Sequence, residues 1–421
     1  MTILVFSLLF VLFFIGVPVA ISLAMAAAGV FVIEDSVSLV AVMQRMFSAV
    51  DTFPLLAIPF FILAGKLMEN GGISRRLIHF ANVIFGRMRG GLAIVSIAAC
   101  GFFAAISGSA AATTAAVGAI LIPAMVKKGY DKSFSASIQA AGGTIGVIIP
   151  PSVPLVLYGV AAGVSIGDLF IAGILPGLLV AGALMLLVYF ISLKEGFGGG
   201  ESFSFIEVIK AFADAILALL MPVIILGGIY SGIFTPTEAA AVAVAYGLII
   251  GMVVYREIKL TDLPRIFSSS VVISAVILFI ISGASAFGFY LTRARVPREL
   301  AEVMLSVTEN WIIALLIINL LLLIVGTFME TSAAVIILTP ILVPVVSALG
   351  IDLVHFGIIM IVNLAIGFIT PPIGVNLFVA ANISNSKLEG IIRRIIPFVL
   401  VMIICALLIS FLPSISLFFV D

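Results

Sequence analysis

Two adjacent prolines interrupt an apolar stretch, and the same interruption recurs 221 residues later (371 − 150 = 221). The first instance reads GGTIGVIIPPSVPLVLYG over Gly142–Gly159, with Pro150 and Pro151 at its centre. Each proline removes a backbone donor and clashes with the turn before it. At one ungapped offset, Pro123, Gly129 and Asp131 map onto Pro344, Gly350 and Asp352. At the same offset Gly146, Pro150 and Pro151 map onto Gly367, Pro371 and Pro372. Six punctuating residues in one register mark an internal duplication. Each copy reads as a hairpin of two half-length helices, a Gly-Asp turn, and a helix broken at Gly-x-x-x-Pro-Pro.

The flanks of these breaks decide the solvent. The 421 residues are 63% hydrophobic and 10% charged, far too apolar for the surface of a soluble protein of this length. The chain therefore reads as an all-α polytopic membrane protein. The apolar run over 3–33 lacks a basic leader and exceeds a signal segment, so it predicts one retained transmembrane helix. Cys100 and Cys405 lie in apolar runs and suggest neither a disulfide frame nor a metal site. No His-Glu-x-x-His run, nucleotide loop or pair of intramembrane aspartates is present, which argues against an ATPase, an intramembrane protease or any other enzyme, and nothing points to nucleic acid.

Lys and Arg in the short loops give the orientation. With SRRLIHFANVIFGRMRGG inside and 90–126 entering and leaving from that side as a re-entrant hairpin, 15 of the 20 Lys and Arg fall inside. Arg45, Arg293, Arg295 and Arg298 remain outside, and Lys66 sits near the inner end of its span, three residues before a partner in Glu69. The Gly-Asp turn of the first copy is basic and inside, and that of the second copy is outside, so the copies are inverted. Inverted repeats with discontinuous helices are the architecture of secondary transporters, with the site near the bilayer midplane.

The expected organisation follows. Residues 1–89 hold scaffold helices and a cytoplasmic arm. Residues 90–167 form the first transport repeat, with hairpin 90–126 and broken helix 133–163. Scaffold helices fill 168–292, and a periplasmic arm occupies 293–310. Residues 311–386 form the second repeat, with hairpin 311–348 and broken helix 353–383. A last transmembrane helix covers 387–421. The N-terminus is expected in the cytoplasm and the C-terminus in the periplasm. Both arms are amphipathic and lie along the membrane surfaces. His79 and His355 read as ordinary interfacial residues.

Broken backbone at membrane depth is tolerated only against protein or a polar cavity. The break at 146–151 ends one half-helix with free carbonyls and opens another with free amides, and Pro150 or Pro151 suits the first position of the second half. Free carbonyls can coordinate a small cation, while a helix start favours an anion. The first hairpin tip, AAISGSAAATTAAVG, offers Ser107, Gly108 and Ser109, with Thr113 and Thr114 one turn on. Hydroxyls and open carbonyls are oxygen ligands for Na+; close packing of small residues is the alternative. The second tip, LLLIVGTFMETSAAVIILTP, offers Gly326, Thr327 and Met329. Its Glu330 is either a functional intramembrane acid or a helix-start acid beside Thr331 and Ser332. The second break adds Asn363, Gly367, Thr370, Gly374 and Asn376, the last facing a cavity or a neighbouring helix. Thr235, Pro236 and Glu238 match a helix cap, first-turn proline and capping-box acid.

SGSAAATTAAVGAILIPAMVKKGYD, GGTIGVIIPPSVPLVLYG, FTPTEAAAVAVAYG, METSAAVIILTPILVPV and TPPIGVNLFVA together resemble the large membrane (permease) subunit of tripartite ATP-independent periplasmic (TRAP) transporters. The resemblance spans nearly the whole chain. It implies Na+-driven uptake of organic acids across a bacterial or archaeal inner membrane by an elevator-type transporter. A periplasmic substrate-binding protein delivers the substrate, and a small four-helix membrane subunit, here expected as a separate polypeptide, completes the permease in the lipid bilayer. Carried onto this chain, one Na+ would sit between Ser107–Ser109 and the Gly142, Gly146 and Pro150 backbone. A second would sit between Gly326, Thr327 and Met329 and the Gly367–Thr370 break. The carboxylate substrate would lie between the tips, against Ser109, Thr113, Ser152, Glu330, Gly374 and Asn376. The alternatives are a standalone cation/carboxylate symporter needing no binding protein, and a channel or non-transporting membrane subunit.

Overall fold

A computed structural model describes residues 2–197, 205–308 and 310–420. The glycine-rich end of the LKEGFGGG connector, Glu309 of the second arm and Asp421 lie outside them. The described residues contain no strand, and ten of their helical stretches are long and apolar enough to cross a membrane. A helix satisfies its own backbone groups, which is what hydrocarbon demands of an apolar segment.

The apolar run over 3–33 is not the single span that its length predicts. It forms α1 (Thr2–Phe14) and α2 (Val19–Glu34), folded back at Gly16–Pro18. Gly16 takes φ +82°, which reverses the chain, and Pro18 immediately precedes α2. The legs run antiparallel: a side chain on Gly29 would meet Leu8 Cδ2 at 3.2 Å. The ground for a cytoplasmic N-terminus, which assumed one crossing, falls with the single span.

Next come α3 (Leu39–Val50), a short turn at Phe53–Leu56, α4 (Ala57–Asn70) and the amphipathic α5 (Ile73–Phe85). Then α6 (Gly91–Ser107) and α7 (Ala110–Lys127) pack on one another as a hairpin, followed by α8 (Lys132–Ile148) and α9 (Val153–Ala162) on either side of the first proline pair. The long helices α10 (Ile166–Glu195) and α11 (Phe205–Tyr230) lead to α12 (Pro236–Leu248) and α13 (Leu263–Arg293). The amphipathic α14 (Val296–Val307) precedes α15 (Trp311–Phe328) and α16 (Thr331–Ala348), and then α17 (Leu353–Gly367) and α18 (Val375–Ser384) flank the second proline pair. The chain closes with α19 (Leu388–Phe411) and the single turn α20 (Ser414–Leu417).

The duplication is visible in the caps. Asp131 accepts from Phe134 N at 2.9 Å to start α8, and Asp352 accepts from His355 N at 2.9 Å to start α17. The hairpin tips carry a second matched pair at the same offset (330 − 109 = 221): Ser109 caps α7 through Ala112 N, and Glu330 caps α16 through Ser332 N and Ala333 N. An acceptor at each start satisfies amides that have no partner within the helix.

The two copies clasp each other. Helix α8 packs on α6 and α7, and α17 packs on α15 and α16. Reciprocally, α9 lies on α16 and α18 lies on α7, while α8 and α17 meet in the middle. All of Phe134–Ile148 and of Val354–Gly367 is buried, so the first halves of the broken helices are the core of the molecule. Tyr158 Oη ties the copies together by donating to Leu353 O at 2.6 Å. His355, in the first turn of α17, is buried in this core: Nδ1 bonds Ser416 Oγ at 2.6 Å and Nε2 faces Ser410 O at 3.3 Å.

Candidate functional site

At the first tip the hydroxyls converge. Gly108 adopts φ +59°, a left-handed turn that lets α6 end and α7 begin within two residues. Ser107 Oγ then lies 2.8 Å from Thr113 Oγ1, which donates to Ser109 O at 2.8 Å. Two of these oxygens, Thr113 Oγ1 and Ser109 O, press on the backbone of α8. A side chain on Gly146 would stand 2.5 Å from Thr113 Oγ1 and 2.6 Å from Ser109 O. Gly146 lies in the last turn of α8, where carbonyls lack helical partners. The donor set is hydroxyl and carbonyl oxygen alone, a chemistry that suits Na+ at a discontinuous helix. Thr114 donates to Ala110 O at 2.9 Å and packs its hydroxyl on α8 at Gly143, outside the cluster of Ser107, Ser109 and Thr113. Gly142 lies a turn inside α8, where its missing side chain admits Cys100 Sγ and Ile97 Cδ1, so it is a packing position.

The second tip makes the same approach with different atoms. Gly326 O lies against Gly367, leaving no room there for a Cβ, and a side chain on Gly326 would meet Leu364 O at 3.2 Å. The backbones of α15 and α17 therefore meet without side chains between them, with Gly326 O against Gly367 and Leu364 O against Gly326. Thr370 Oγ1 donates to Ile366 O at 2.8 Å, and Thr327 Oγ1 to Ile324 O at 2.7 Å. Glu330 uses its carboxylate locally, accepting from Ser332 N at 2.8 Å, Ala333 N at 3.2 Å and Ser332 Oγ at 3.0 Å. Of the two readings of Glu330, the helix start is the one formed here.

The prolines sit in the breaks, not at the helix starts. Helix α9 begins at Val153 with Pro154 in its first turn, and α18 begins after Gly374. Pro150, Pro151, Pro371 and Pro372 therefore lie between the half-helices and stop the first halves from continuing. Ser152 Oγ donates back to Val147 O at 2.6 Å. Asn376 Nδ2 donates to Ala140 O of α8 at 3.0 Å, which is the interhelix bond and not a cavity-facing position.

Both tips and both second halves open onto one cavity of about 1400 Å³. Ser107 and Ser109 reach it from the first tip, Met329 and Glu330 from the second, and Pro154 and Val375 from the starts of α9 and α18. Thr113, Ser152, Gly374 and Asn376 do not line it. Two cavity residues escaped the sequence as site residues. Lys66 and Glu69 of α4 form the expected ion pair, at 2.7 Å, but line this cavity beside the first tip. The available signal was a lysine within an otherwise apolar span, which spacing alone places at an interface. The capping box of Thr235 and Glu238 is formed as its motif predicts.

Comparison with known proteins agrees in sequence and in shape. Over residues 6–415 the chain matches the family model described as tripartite ATP-independent periplasmic transporter, DctM component. It is 50% identical over 406 residues to the isethionate TRAP transporter permease protein DctMQ of Oleidesulfovibrio alaskensis, covering 96% of this chain and 64% of that one. It is 39% identical to the C4-dicarboxylate large permease protein DctM of Rhodobacter capsulatus, over 98% of this chain and 97% of that one. It is 41% identical to the sialic acid large permease protein SiaM of Vibrio cholerae, over 96% and 95% respectively. In fold, it is similar to the YdaH transporter of Alcanivorax borkumensis, with TM-score 0.66 and 16% identity over 89% of this chain and 87% of that one. Paired hairpins, paired broken helices and a match over almost the whole length place this chain in the DctM family of tripartite ATP-independent periplasmic transporter subunits.

Proposed function

We propose that the chain is the large permease subunit of a Na+-coupled importer of small organic acids in a bacterial or archaeal inner membrane. It works with a small four-helix membrane subunit and receives its substrate from a periplasmic binding protein. The observation that carries this reading is the single cavity into which both tips and both second half-helices open. Isethionate, C4-dicarboxylates and sialic acid, named for three relatives, are all small organic anions.

Ser107, Thr113 and the Ser109 carbonyl would hold one Na+ against the end of α8, and the Gly326 and Leu364 carbonyls would contribute to a second at the α15–α17 junction. Neutralising these oxygens fixes the tips against the broken helices. The amide-rich starts of α9 and α18 then face the cavity and favour an anion there. Coupling follows because the anion binds the ordered tips better than the loose ones, and the same free energy appears in the affinity for Na+. The two clasped repeats would move as one body against α4, α12 and α13, in the manner of an elevator.

The test is uptake into proteoliposomes holding this chain, its small subunit and the binding protein encoded with them, with succinate and isethionate as probes. Uptake requiring both the binding protein and an inward Na+ gradient is expected. Uptake without the binding protein would instead establish a standalone symporter, and uptake driven equally by a proton gradient would overturn the Na+ assignment.

A further inference from the structure

Lys66 is the one cation that lines the central cavity among the described residues, against two acids, Glu69 and Glu330. Glu330 is committed to starting α16 through its three hydrogen bonds. That leaves Lys66 and Glu69 as the cavity charges whose recorded side-chain partners are each other. Their partnership is local: both stand on α4 three residues apart, and each side chain is 28% exposed. Their position is not incidental. The preceding residue, Gly65, packs directly on the first tip, where a side chain would lie 3.4 Å from Ile106 O and 3.4 Å from Ser107 Cα. Lys66 thus enters the cavity beside the tip whose oxygens form the candidate Na+ site.

We propose that Lys66 is the specificity-determining cation for the substrate's anionic group, and that Glu69 is a resident counter-ion which the substrate displaces. The inference rests on the uptake reading and names the group that recognises the anion in that same cavity. An ammonium facing an apolar cavity is costly unless paired. Glu69 supplies the pair while the cavity is empty of anion. A partly exposed pair within one helix contributes little net stability, so its exchange for another carboxylate, or for a sulfonate, is easy. Because Lys66 stands on α4 and the oxygens stand on the hairpin, the anion bridges two elements that meet at Gly65. Lys66 is a point charge with three rotatable donors, which accepts an anion without imposing the planar fork of an arginine. One such cation recognises one anionic group and leaves the rest of the molecule to the apolar wall.

The experiment measures half-saturating concentrations of succinate and isethionate in the reconstituted complex for wild type, Lys66→Gln, Lys66→Arg and Glu69→Gln. Thermal stabilisation of the purified complex by each probe in NaCl is followed in parallel. Lys66→Gln is expected to raise the half-saturating probe concentration about tenfold, the loss of one charge-assisted contact, with the Na+ requirement kept. Lys66→Arg restores most of it. Glu69→Gln lowers the half-saturating concentration, because it removes the competitor. A purely structural ion pair gives the opposite for Glu69→Gln, a loss matching that of Lys66→Gln, and that result overturns the proposal. Unchanged half-saturation in Lys66→Gln overturns it as well. A wild-type complex that binds the probes without Na+-driven uptake refutes the transport reading alone, and one that neither binds nor transports them refutes both.

Discussion

At residue scale the candidate site depends on atoms that are missing. Gly146 and Gly367 are where α8 and α17 accept the oxygens of the tips, and no side chain fits at either. Gly146→Ala is expected to raise the Na+ concentration for half-maximal uptake at least about tenfold while costing roughly 1–3 kcal/mol of stability by overpacking. Gly182→Ala meets open space and should change neither. Thr113→Val removes the hydroxyl shared by Ser107 and Ser109 and should weaken Na+ activation about tenfold, with Thr113→Ser close to wild type. Glu330 and Ser109 occupy equivalent positions and perform the same capping task. Glu330→Ser should therefore keep Na+-dependent uptake, whereas Glu330→Ala should lose about 1 kcal/mol of stability in chemical denaturation. Residue identities at both tips were legible in the sequence because glycine, serine and threonine interrupt long apolar runs. Which oxygens face which backbone was not, since a helix rotation of one residue would redirect them all. Asn376 shows this: its sequence position suits a cavity, and its rotation on α18 sends it to Ala140.

At the scale of elements, the two amphipathic helices that precede the hairpins are held unequally. Arg76 fastens α5: it donates to Glu257 Oε1 at 3.0 Å and to Gly72 O at 3.0 Å, lies 3.4 Å from Asp214 and stacks 3.6 Å over the Tyr255 ring. The corresponding contact on α14 is an exposed pair within the helix, Arg298 with Glu302 at 2.9 Å. Hydrogen exchange should separate them. Arg76→Ala is expected to speed exchange across α5 by about tenfold or more, as removal of one member of a partly buried network leaves the others unpaired. Arg298→Ala should alter α14 by no more than about 0.5 kcal/mol. Amphipathic periodicity made both arms legible. The anchoring was not, because Asp214 on α11 and Glu257 in the connector before α13 are distant from Arg76 in sequence.

At the scale of the whole molecule, the duplication that punctuation revealed is also the packing rule, with α9 on α16 and α18 on α7. A body built this way should tolerate internal fastening. Cysteines at Gly118 and Ile383, whose neighbourhood brings a Cβ within 3.4 Å of Ile383 Cδ1, join α7 to α18. Bridging them with a short thiol reagent, in a chain lacking Cys100 and Cys405, should leave uptake within about twofold, since the interface moves intact. Bridging Gly65→Cys to Ile106→Cys, from α4 to the first hairpin, should abolish it. Survival of uptake in the second case would show that α4 and the hairpin travel together. The fold class was legible because lipid leaves an apolar chain so few options. The first apolar run was misread because thirty apolar residues outweigh one Gly-Val-Pro turn unless the partner leg is seen. That turn at Gly16–Pro18 changes an odd number into an even one. The start of α1 and the end of α2 lie at the same end of the leg pair, so reporters fused at the N-terminus and inserted at 35–38 should share a compartment. Any topology inferred by counting the run over 3–33 as one passage is therefore shifted by one at its origin.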